Sequence, residues 1–551
     1  MPIPVICTTL LIEKSPQALP LGAACVASAI KHCPELKDMC NVSLKAFCLE
    51  DKDFPKDKEK AADYIAQNLL KISGGIDNSI FCFSCFVWNI KILAAAAKRL
   101  REKGYICIAG GPEITAHPSF YYKDFDYTVS GEGEVSVPEL ISEILSKKSE
   151  KSDKVIISPS PNLGLIHSPY LDGIIDPAEY EGALWELARG CPFKCAYCYE
   201  SKGEKSVRLF PMERIKAELE LFARKKVPQV FVLDPTYNVN KKRAVELLRL
   251  IAKKTPDTFY YFEARAELMD RELAREFTRI PCALQIGLQS ANEQTLKLVN
   301  RPFDKKKFCK GLSILNEEGV TFGLDLIFGL PGENFGSFRD GIDFAISQYP
   351  NNLEIFCLSV LPGTDLFDRA EGLGLVWKNE PPYHVIKTKE FSSDDIKRAE
   401  KLSKACSYFY NAGRAVPWFN SVCRVLKIKP SKLFELFYNE YSDICEKSCA
   451  LGYCEKHEEI QKIQLEFLQG QFKSKNLQRY YAAAEDIVKF YGAISRTTDT
   501  GKSETVNLNY DAEYVASDYA SDIRFFTENL RPKKNRIQTF RNKGDVDFRK
   551  I

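Results

Sequence analysis

Histidine is scarce in this chain, which contains only five among 551 residues. Histidine is the side chain that most often moves protons near neutral pH, so its scarcity argues against general acid–base hydrolysis. The sequence also shows no Ser-His-Asp order, no phosphate-binding loop and no zinc motif. These absences favour a reaction that a bound cofactor carries out, while the protein orients the reactants and excludes water.

An excess of one charge is lacking as well, since 77 Lys and Arg stand against 74 Asp and Glu. This balance predicts no nucleic-acid partner. No uninterrupted apolar run reaches the roughly 18 residues that a membrane span requires, so we expect no membrane contact. No charged segment followed by an apolar one opens the chain, and we therefore expect a cytoplasmic protein with reduced thiols.

Cysteine, in contrast, is abundant, with 19 residues. Cys191, Cys195 and Cys198 have the spacing C-x3-C-x2-C and follow Gly190, which allows a sharp turn. At this cysteine content, about 0.02 copies of any one fixed spacing are expected by chance. Three thiolates on one loop can hold three irons of a 4Fe–4S cluster and leave the fourth open to a small molecule. The alternative is a cysteine-rich chain with buried thiols.

This loop, with the aromatic Tyr197 before its last cysteine, resembles the signature of radical S-adenosylmethionine (SAM) enzymes. The resemblance implies that the open iron binds the amino and carboxylate groups of SAM. One electron from the reduced cluster then cleaves SAM to a 5′-deoxyadenosyl radical, which abstracts hydrogen from a substrate. A flavodoxin- or ferredoxin-like protein is the expected electron donor.

Residues 1–150 alternate apolar strands with helices of ten or more residues, which predicts a doubly wound parallel sheet. Glycine turns follow two of the predicted strands, at Gly110-Gly111-Pro112-Glu113 and Gly131-Glu132-Gly133-Glu134. Together with the segment from Pro16 to Gly22, they resemble the cobalamin-binding domain that precedes many radical SAM domains. The resemblance implies cobalamin-binding roles for Gly22, Gly110, Gly111, Gly131, Glu132 and Gly133.

One departure concerns the motif Asp-x-His-x-x-Gly, whose histidine ligates cobalt in many cobalamin domains and which this sequence lacks. Radical SAM members often lack it too, which implies cobalt without a histidine ligand from this domain. A domain that has lost cobalamin stays an alternative. Residues 151–180 contain four prolines and little periodicity, and we predict that they form a linker.

Residues 181–375 contain six predicted strands that alternate with helices, which indicates a partial (β/α)6 barrel with its active site at the carboxyl ends of the strands. Asp234-Pro235-Thr236 resembles the variant that cobalamin-containing members carry where many others have Gly-Gly-Glu for the SAM amino group. Helix or turn capping is the alternative for each polar side chain at a strand end. The resemblance and these positions together predict a SAM site formed by Tyr197, Asp234, Thr236, Glu263, Gln289, Ser290 and Gly329.

Residues 376–551 have helical periodicity and are predicted to form a mainly helical domain of unknown role. Cys445, Cys449 and Cys454 could hold a second cluster, but about 0.8 such triplets are expected by chance, and we expect no metal there. The tail from Arg531 carries eight Lys or Arg against two Asp and is predicted to be solvated.

The sequence therefore predicts a radical SAM enzyme with a 4Fe–4S cluster, SAM and cobalamin as cofactors. Methyl transfer is the reaction that the resemblance implies, or another radical transformation of an unknown small-molecule or peptide substrate. One alternative is a methylthiotransferase, which needs an auxiliary cluster at Cys445, Cys449 and Cys454. The other is a sensor that binds the cluster or cobalamin without catalysis.

Overall fold

The computed structural model describes residues 2–146, 155–201, 206–451, 456–542 and 544–551. Its chain divides into two compact units. Unit 1 contains residues 1–284, 299–301 and 359–385, and unit 2 contains residues 285–298, 302–358 and 386–551. None of the described helices is long and apolar enough to cross a membrane.

The first sheet lies in unit 1 and has six parallel strands in the order β2-β1-β3-β4-β5-β6. Its strands are β1 (Ile3–Leu11), β2 (Cys40–Cys48), β3 (Ile80–Ser84), β4 (Ile106–Gly110), β5 (Tyr127–Ser130) and β6 (Val155–Ile157). The accompanying helices are α1 (Leu21–His32), α2 (Lys58–Ile72), α3 (Ile90–Arg101), α4 (Pro112–Ala116) and α5 (Gly133–Leu145).

Both faces of this sheet are buried, because alternate residues of each strand point to opposite sides. On β1, Val5 and Cys7 pack with helices α1 and α5, whereas Ile6 and Leu10 pack with α2 and α3. The predicted doubly wound sheet is therefore confirmed. Its strand order reverses direction between β1 and β3, and ligands of such sheets bind outside the carboxyl ends of the strands at that point.

The second sheet has the strand order β14-β13-β12-β11-β10-β7. The strands from here to residue 357 are β7 (Ala183–Trp185), β8 (Ala188–Arg189), β9 (Arg208–Leu209), β10 (Gln229–Val232), β11 (Phe259–Ala264), β12 (Cys282–Gln289), β13 (Phe322–Phe328) and β14 (Asn352–Cys357). The helices are α6 (Met212–Lys225), α7 (Lys241–Lys254), α8 (Arg271–Phe277), α9 (Glu293–Leu298), α10 (Lys305–Glu318), α11 (Phe335–Ser347) and α12 (Asp365–Arg369). Six strands with intervening helices form the predicted partial barrel.

The remainder of the chain is mainly helical, as predicted. Its helices are α13 (Ser393–Cys406), α14 (Phe419–Leu426), α15 (Pro430–Leu451), α16 (His457–Ser474), α17 (Tyr481–Thr500), α18 (Ala512–Val515) and α19 (Ile523–Asn529). Its strands are β15 (Val376–Trp377), β16 (Val385–Lys387), β17 (Glu504–Leu508), β18 (Asn535–Asn542) and β19 (Asp545–Lys550).

Two predicted segments differ from the structure. The region predicted as a linker contributes β6, which pairs in parallel with β5. The Val-Ile-Ile sequence of β6 consists of β-branched residues, which favour a strand at the edge of the sheet. The basic tail predicted to be solvated forms β18 and β19 of an antiparallel three-stranded sheet. Alternation explains the second error, since Ile537 and Thr539 on one face are fully buried, whereas Arg536 and Gln538 on the other face are exposed or partly exposed.

Candidate active site

The three cysteines lie on a loop of unit 1 that leaves β8 at Gly190, whose φ of +88° favours glycine. Ala196, in the middle of the loop, is fixed on both sides by backbone hydrogen bonds. Its N–H donates to the carbonyl of Val299 at 2.8 Å, and its carbonyl accepts from the N–H of Leu366 at 2.8 Å. The loop is therefore held in one conformation by two segments that are distant from it in the sequence.

The thiols on this loop influence one another electrostatically. The pKa of Cys198 is raised to about 11, mainly by burial and to a smaller extent by the nearby Cys195 and Cys191. Neighbouring thiolates repel each other, so ionisation of all three requires a cation among them. Iron supplies that charge, and the donor set thus fits a 4Fe–4S cluster.

Asp234 follows β10 and is 8% exposed. Its Oδ1 accepts hydrogen bonds from the backbone N–H groups of Leu187 and Ala188, both at 2.9 Å. Burial raises the pKa of this carboxyl group to about 7, and the two backbone donors oppose the rise. The structure thus gives Asp234 a role in holding the approach to the cysteine loop, beside its predicted role in SAM binding.

Thr236 and Glu263, two further predicted SAM residues of unit 1, are placed differently from Asp234. The Thr236 hydroxyl donates to the carbonyl of Pro235 at 2.7 Å, and its oxygen lies 3.9 Å from the Cys191 sulfur. Glu263 is exposed near the carboxyl end of β11 and lines a large cavity. Thr236 is therefore adjacent to the cysteines, and Glu263 can reach a ligand in the cavity.

Arg301 is a residue of the site that the sequence analysis missed. Its Nη1 donates to the Cys195 sulfur at 3.8 Å and to the Tyr197 hydroxyl at 3.4 Å. Arg301 thus places a permanent positive charge beside the cysteine loop, and Tyr197 is held by it. No local pattern marks Arg301, because it follows Tyr197 by 104 positions in the sequence.

Unit 2 contains the other three predicted SAM residues. Gln289 ends β12 with a φ of +70°, and Gly329 follows β13 with a φ of +84°. The Ser290 hydroxyl donates to Oε1 of the buried Glu333 at 2.6 Å. Burial raises the pKa of Glu333 to about 8, and its Oε2 has no hydrogen-bond partner among the residues that the structure describes. A buried, unsatisfied carboxyl oxygen of this kind is typical of a ligand site.

All six residues predicted to bind cobalamin line a single cavity of about 810 Å³ in unit 1. The cavity lies at the carboxyl ends of β1, β3, β4 and β5, where the strand order predicts a ligand. Its lining also contains Ala188, Arg189 and Gly190, which directly precede the first cysteine. The volume falls in the range of roughly 300–1,000 Å³ that is typical of cofactor sites.

The glycines that line this cavity differ in how strictly the surrounding backbone requires a glycine. Gly111 and Gly131 have φ values of +98° and +102°, and an added Cβ would lie 2.6 Å from the Cys85 carbonyl oxygen and 3.0 Å from that of Ser158. Backbone conformation and packing therefore require glycine there, rather than the approach of a ligand. Gly22 has an ordinary conformation, and its added Cβ would meet only the Ser84 hydroxyl within 4 Å, at 3.5 Å.

Charged side chains form a network on one wall of the cavity. Arg189 contacts Glu132 at 2.5 Å, Glu134 at 2.8 Å and Glu186 at 2.9 Å. Arg208 also pairs with Glu132. The carboxylate of Glu132, which was predicted to bind cobalamin, is thus engaged with two arginines that the sequence analysis did not identify.

The possible second cluster lies in unit 2. Cys445 is fully buried on α15. The side chain of Cys449 and all of Cys454 lie outside the described residues. The prediction that these cysteines bind no metal stays a prediction.

Comparison with known proteins identifies two parts of the chain. Residues 185–345, which include all three cysteines of the loop, match the radical SAM superfamily. This segment is a radical SAM domain. The predicted resemblance is confirmed for it. Residues 371–538, after the radical SAM domain, match a family described as a protein of unknown function, DUF4080.

Two similar proteins have named activities. The cobalamin-dependent radical SAM methyltransferase TokK of Streptomyces tokunonensis is 26% identical over 331 residues, which cover 53% of this chain and 48% of TokK. The 2-(S-pantetheinyl)-carbapenam-3-carboxylate methyltransferase of Streptantibioticus cattleyicolor is 26% identical over 353 residues, 57% of this chain and 52% of that protein. The chain thus spans about half the length of these relatives.

Two solved structures share the fold beyond the radical SAM domain. The cobalamin-dependent radical SAM enzyme OxsB, with aqua-cobalamin and SAM bound, has a TM-score of 0.56 at 13% identity. The matched part covers 87% of this chain and 80% of the OxsB chain. The radical SAM methyltransferase TsrM of Kitasatospora setae, with tryptophan and a SAM analogue bound, has a TM-score of 0.55 at 14% identity. The matched part covers 70% of this chain and 80% of the TsrM chain. At these identities the likeness establishes the fold.

Replacement of Cys191, Cys195 or Cys198 by Ala should abolish the 4Fe–4S cluster, because each thiolate is predicted to hold one iron. Iron and sulfide content and the absorbance near 400 nm after anaerobic reconstitution measure the loss. Cys309→Ala, at a partly exposed cysteine of α10, is the control and should retain the cluster. Four irons per chain in the triple variant would contradict this assignment.

Replacement of Arg301 by Met should lower the reduction potential of the cluster, because a positive charge stabilises the more negative reduced state. Opposite charges 4 Å apart interact by about 1–4 kcal/mol, which corresponds to roughly 40–170 mV for one electron. A redox titration followed by electron paramagnetic resonance measures the shift. Arg301→Lys retains the charge and should restore most of the potential, whereas equal potentials in the wild type and Arg301→Met would refute the role.

Proposed function

We propose that this protein is a cobalamin-dependent radical SAM methyltransferase. One observation carries the proposal: a single cavity in unit 1 is lined by the glycine turns of a doubly wound sheet and by the residues that precede the cluster cysteines. A cofactor in this cavity would therefore lie beside the cysteine loop. The names of the relatives support methyl transfer as the reaction.

The cysteine loop would hold the 4Fe–4S cluster through Cys191, Cys195 and Cys198. When bound, this cluster supplies the electron that cleaves SAM, and cobalamin supplies a carrier for a methyl group. Arg301 holds Tyr197 and places positive charge beside Cys195. The contacts of Ala196 with Val299 and Leu366 keep the three thiols in fixed positions.

The residues that we assign to SAM binding are described separately for each unit. In unit 1 these are Tyr197, Asp234, Thr236 and Glu263. In unit 2 they are Gln289, Ser290 and Gly329, and we add Glu333, because its buried Oε2 is unsatisfied among the described residues. Such a carboxyl group, with its pKa near neutrality, can donate to or accept from a ribose or adenine group.

The cavity fits a cobalamin that receives no histidine from this domain. Among the described residues, the cavity lining includes no histidine. Affinity would therefore depend on contact area and on hydrogen bonds from groups such as the Ser84 hydroxyl and the backbone of the glycine turns. Gly22 leaves room beside Ser84 that a larger residue would fill.

The proposal also implies a cellular location, an electron donor and a class of substrate. All 17 cysteines that the structure describes are free thiols, which supports a reducing, cytoplasmic location. A flavodoxin- or ferredoxin-like protein would supply electrons, and the substrate would be a small molecule or peptide. The division at residues 150, 180 and 375 stays part of this proposal: a cobalamin-binding domain, a connecting segment that contributes β6 to the first sheet, a barrel and a C-terminal domain.

Anaerobically reduced protein loaded with the cluster and cobalamin should convert SAM to two products. Radical cleavage yields 5′-deoxyadenosine with methionine, and methyl donation yields S-adenosylhomocysteine. Chromatography coupled to mass spectrometry quantifies both, and the Cys191→Ala variant is the control for cleavage. Formation of neither product would favour a sensor, and 5′-deoxyadenosine without S-adenosylhomocysteine would contradict methyl transfer.

Replacement of Gly22 by Val should weaken cobalamin binding at least tenfold, because the branched side chain extends toward Ser84 inside the cavity. The corrin absorbance that the protein retains after desalting measures binding. Gly470→Val is the matched control, since its added Cβ meets no described atom within 4 Å. Equal cobalamin retention in the two variants, with the cluster intact in both, would refute this location.

A further inference from the structure

Two of the five histidines of the chain meet on the surface of unit 1, outside the radical SAM domain. The ring of His32, at the end of α1, stacks on the ring of His167 with centroids 3.7 Å apart and planes 2° apart. His32 Nε2 also lies 3.0 Å from Oδ1 of Asp172. One potential ligand atom from each of these three residues lies within 4.8 Å of the other two.

We infer that His32, His167 and Asp172 bind one divalent transition-metal ion. Two imidazole nitrogens and a carboxylate oxygen form a donor set that suits zinc and related ions, with water in the remaining position. Metal–ligand bonds of about 2.0–2.2 Å place the ligands of a tetrahedral ion roughly 3.4 Å apart. The three side chains therefore need to approach one another by little more than 1 Å.

The stacked rings must also change orientation when the ion binds. A metal ion lies in the plane of each imidazole that ligates it, and two stacked rings with nearly parallel planes and centroids 3.7 Å apart cannot share one ion in both planes. Both histidines are exposed, so the rings can rotate apart without disturbing the core. Binding of the ion would therefore splay the two stacked rings.

The ligand Asp172 is already oriented by a second contact. Its other oxygen, Oδ2, accepts a hydrogen bond from the Ser28 hydroxyl on α1, which leaves Oδ1 directed at His32. Hydrogen bonds of this kind commonly fix the carboxylate ligands of metal sites. Ser28 and Asp172 are 144 residues apart in the sequence, so the contact requires the folded chain.

The surrounding charge favours a cation. A groove of about 560 Å³ adjoins the two histidines, and its lining includes Glu35, Glu139 and Glu143. No lysine or arginine is among the described residues that line it. Two cations lie nearby: Lys31 donates to the Asp172 carbonyl at 3.1 Å, and Arg214, near His167, is paired with Glu218 at 2.9 Å.

The ion would connect α1 to the segment that follows β6. His32 belongs to the helix, whereas His167 and Asp172 belong to the segment that leads to β7. A bound ion would link residues that are distant in the sequence. Such a link reduces the conformational entropy of the unfolded chain and fixes the segment that leads to β7 against α1. A structural role at this position, independent of the reaction proposed above, follows from the geometry.

Zinc binding to cluster-loaded protein tests the site, because the cluster keeps Cys191, Cys195 and Cys198 unavailable to zinc. Wild-type protein should retain one zinc per chain after desalting, measured by elemental analysis. His32→Gln and His167→Gln should each lower zinc affinity at least tenfold. His117→Gln is the matched control, since His117 packs against Phe120 and Phe367 instead, and it should bind zinc like the wild type.

Nuclear magnetic resonance of protein with labelled histidine provides a second readout. Only five histidine signals occur, and zinc should move the two that disappear in His32→Gln and His167→Gln. Cluster absorbance in each variant confirms that the variant has folded. Zinc retention in the His32→Gln/His167→Gln double variant equal to that of the wild type, or zinc shifts confined to other histidines, would overturn the inference.

Discussion

The cysteine loop depends on one buried carboxylate, that of Asp234. The chain leaves β7 just before the loop, and the N–H groups of Leu187 and Ala188 lose the partners that a continuing strand would offer. Asp234 supplies both with one oxygen, at 2.9 Å each. Unpaired buried backbone donors cost about 1–3 kcal/mol each, so this carboxylate stabilises the path that leads to Gly190 and the first cysteine.

Ion pairs then connect the segment before the cysteine loop to the first sheet of unit 1. Arg189, two positions before Cys191, contacts carboxylates from the turn after β5 and from its own segment. Partly buried ion pairs contribute little net stability unless several bonds satisfy each partner, and Arg189 meets that condition with three glutamates. The network thereby gives the glycine turn and the cysteine loop one fixed arrangement around a shared cavity.

Much of the fold could be predicted because its strands and helices have clear periodicity. The alternating strands and helices of residues 1–150 and the six strands of residues 181–375 form as the pattern predicted. The errors fell where local pattern is weak. The strand Val155–Ile157 is three residues long, and the alternation at Ile537 and Thr539 was obscured by the flanking basic residues Arg536 and Arg541. Gly111 and Gly131, which the resemblance predicted to bind cobalamin, line the cavity, but the reason for glycine there was visible only in their backbone angles and packing.

By itself, the sequence determined the class of chemistry and predicted the cluster ligands, because three cysteines within eight residues form a local motif that needs no tertiary information. It also determined the succession of strands and helices through their hydrophobic periods. Only the tertiary structure decided that Arg301 lies beside Cys195, that Glu132 pairs with Arg189 and Arg208, and that His32 stacks on His167. These contacts join residues far apart in the chain, and no local pattern specifies which distant side chains packing will bring together.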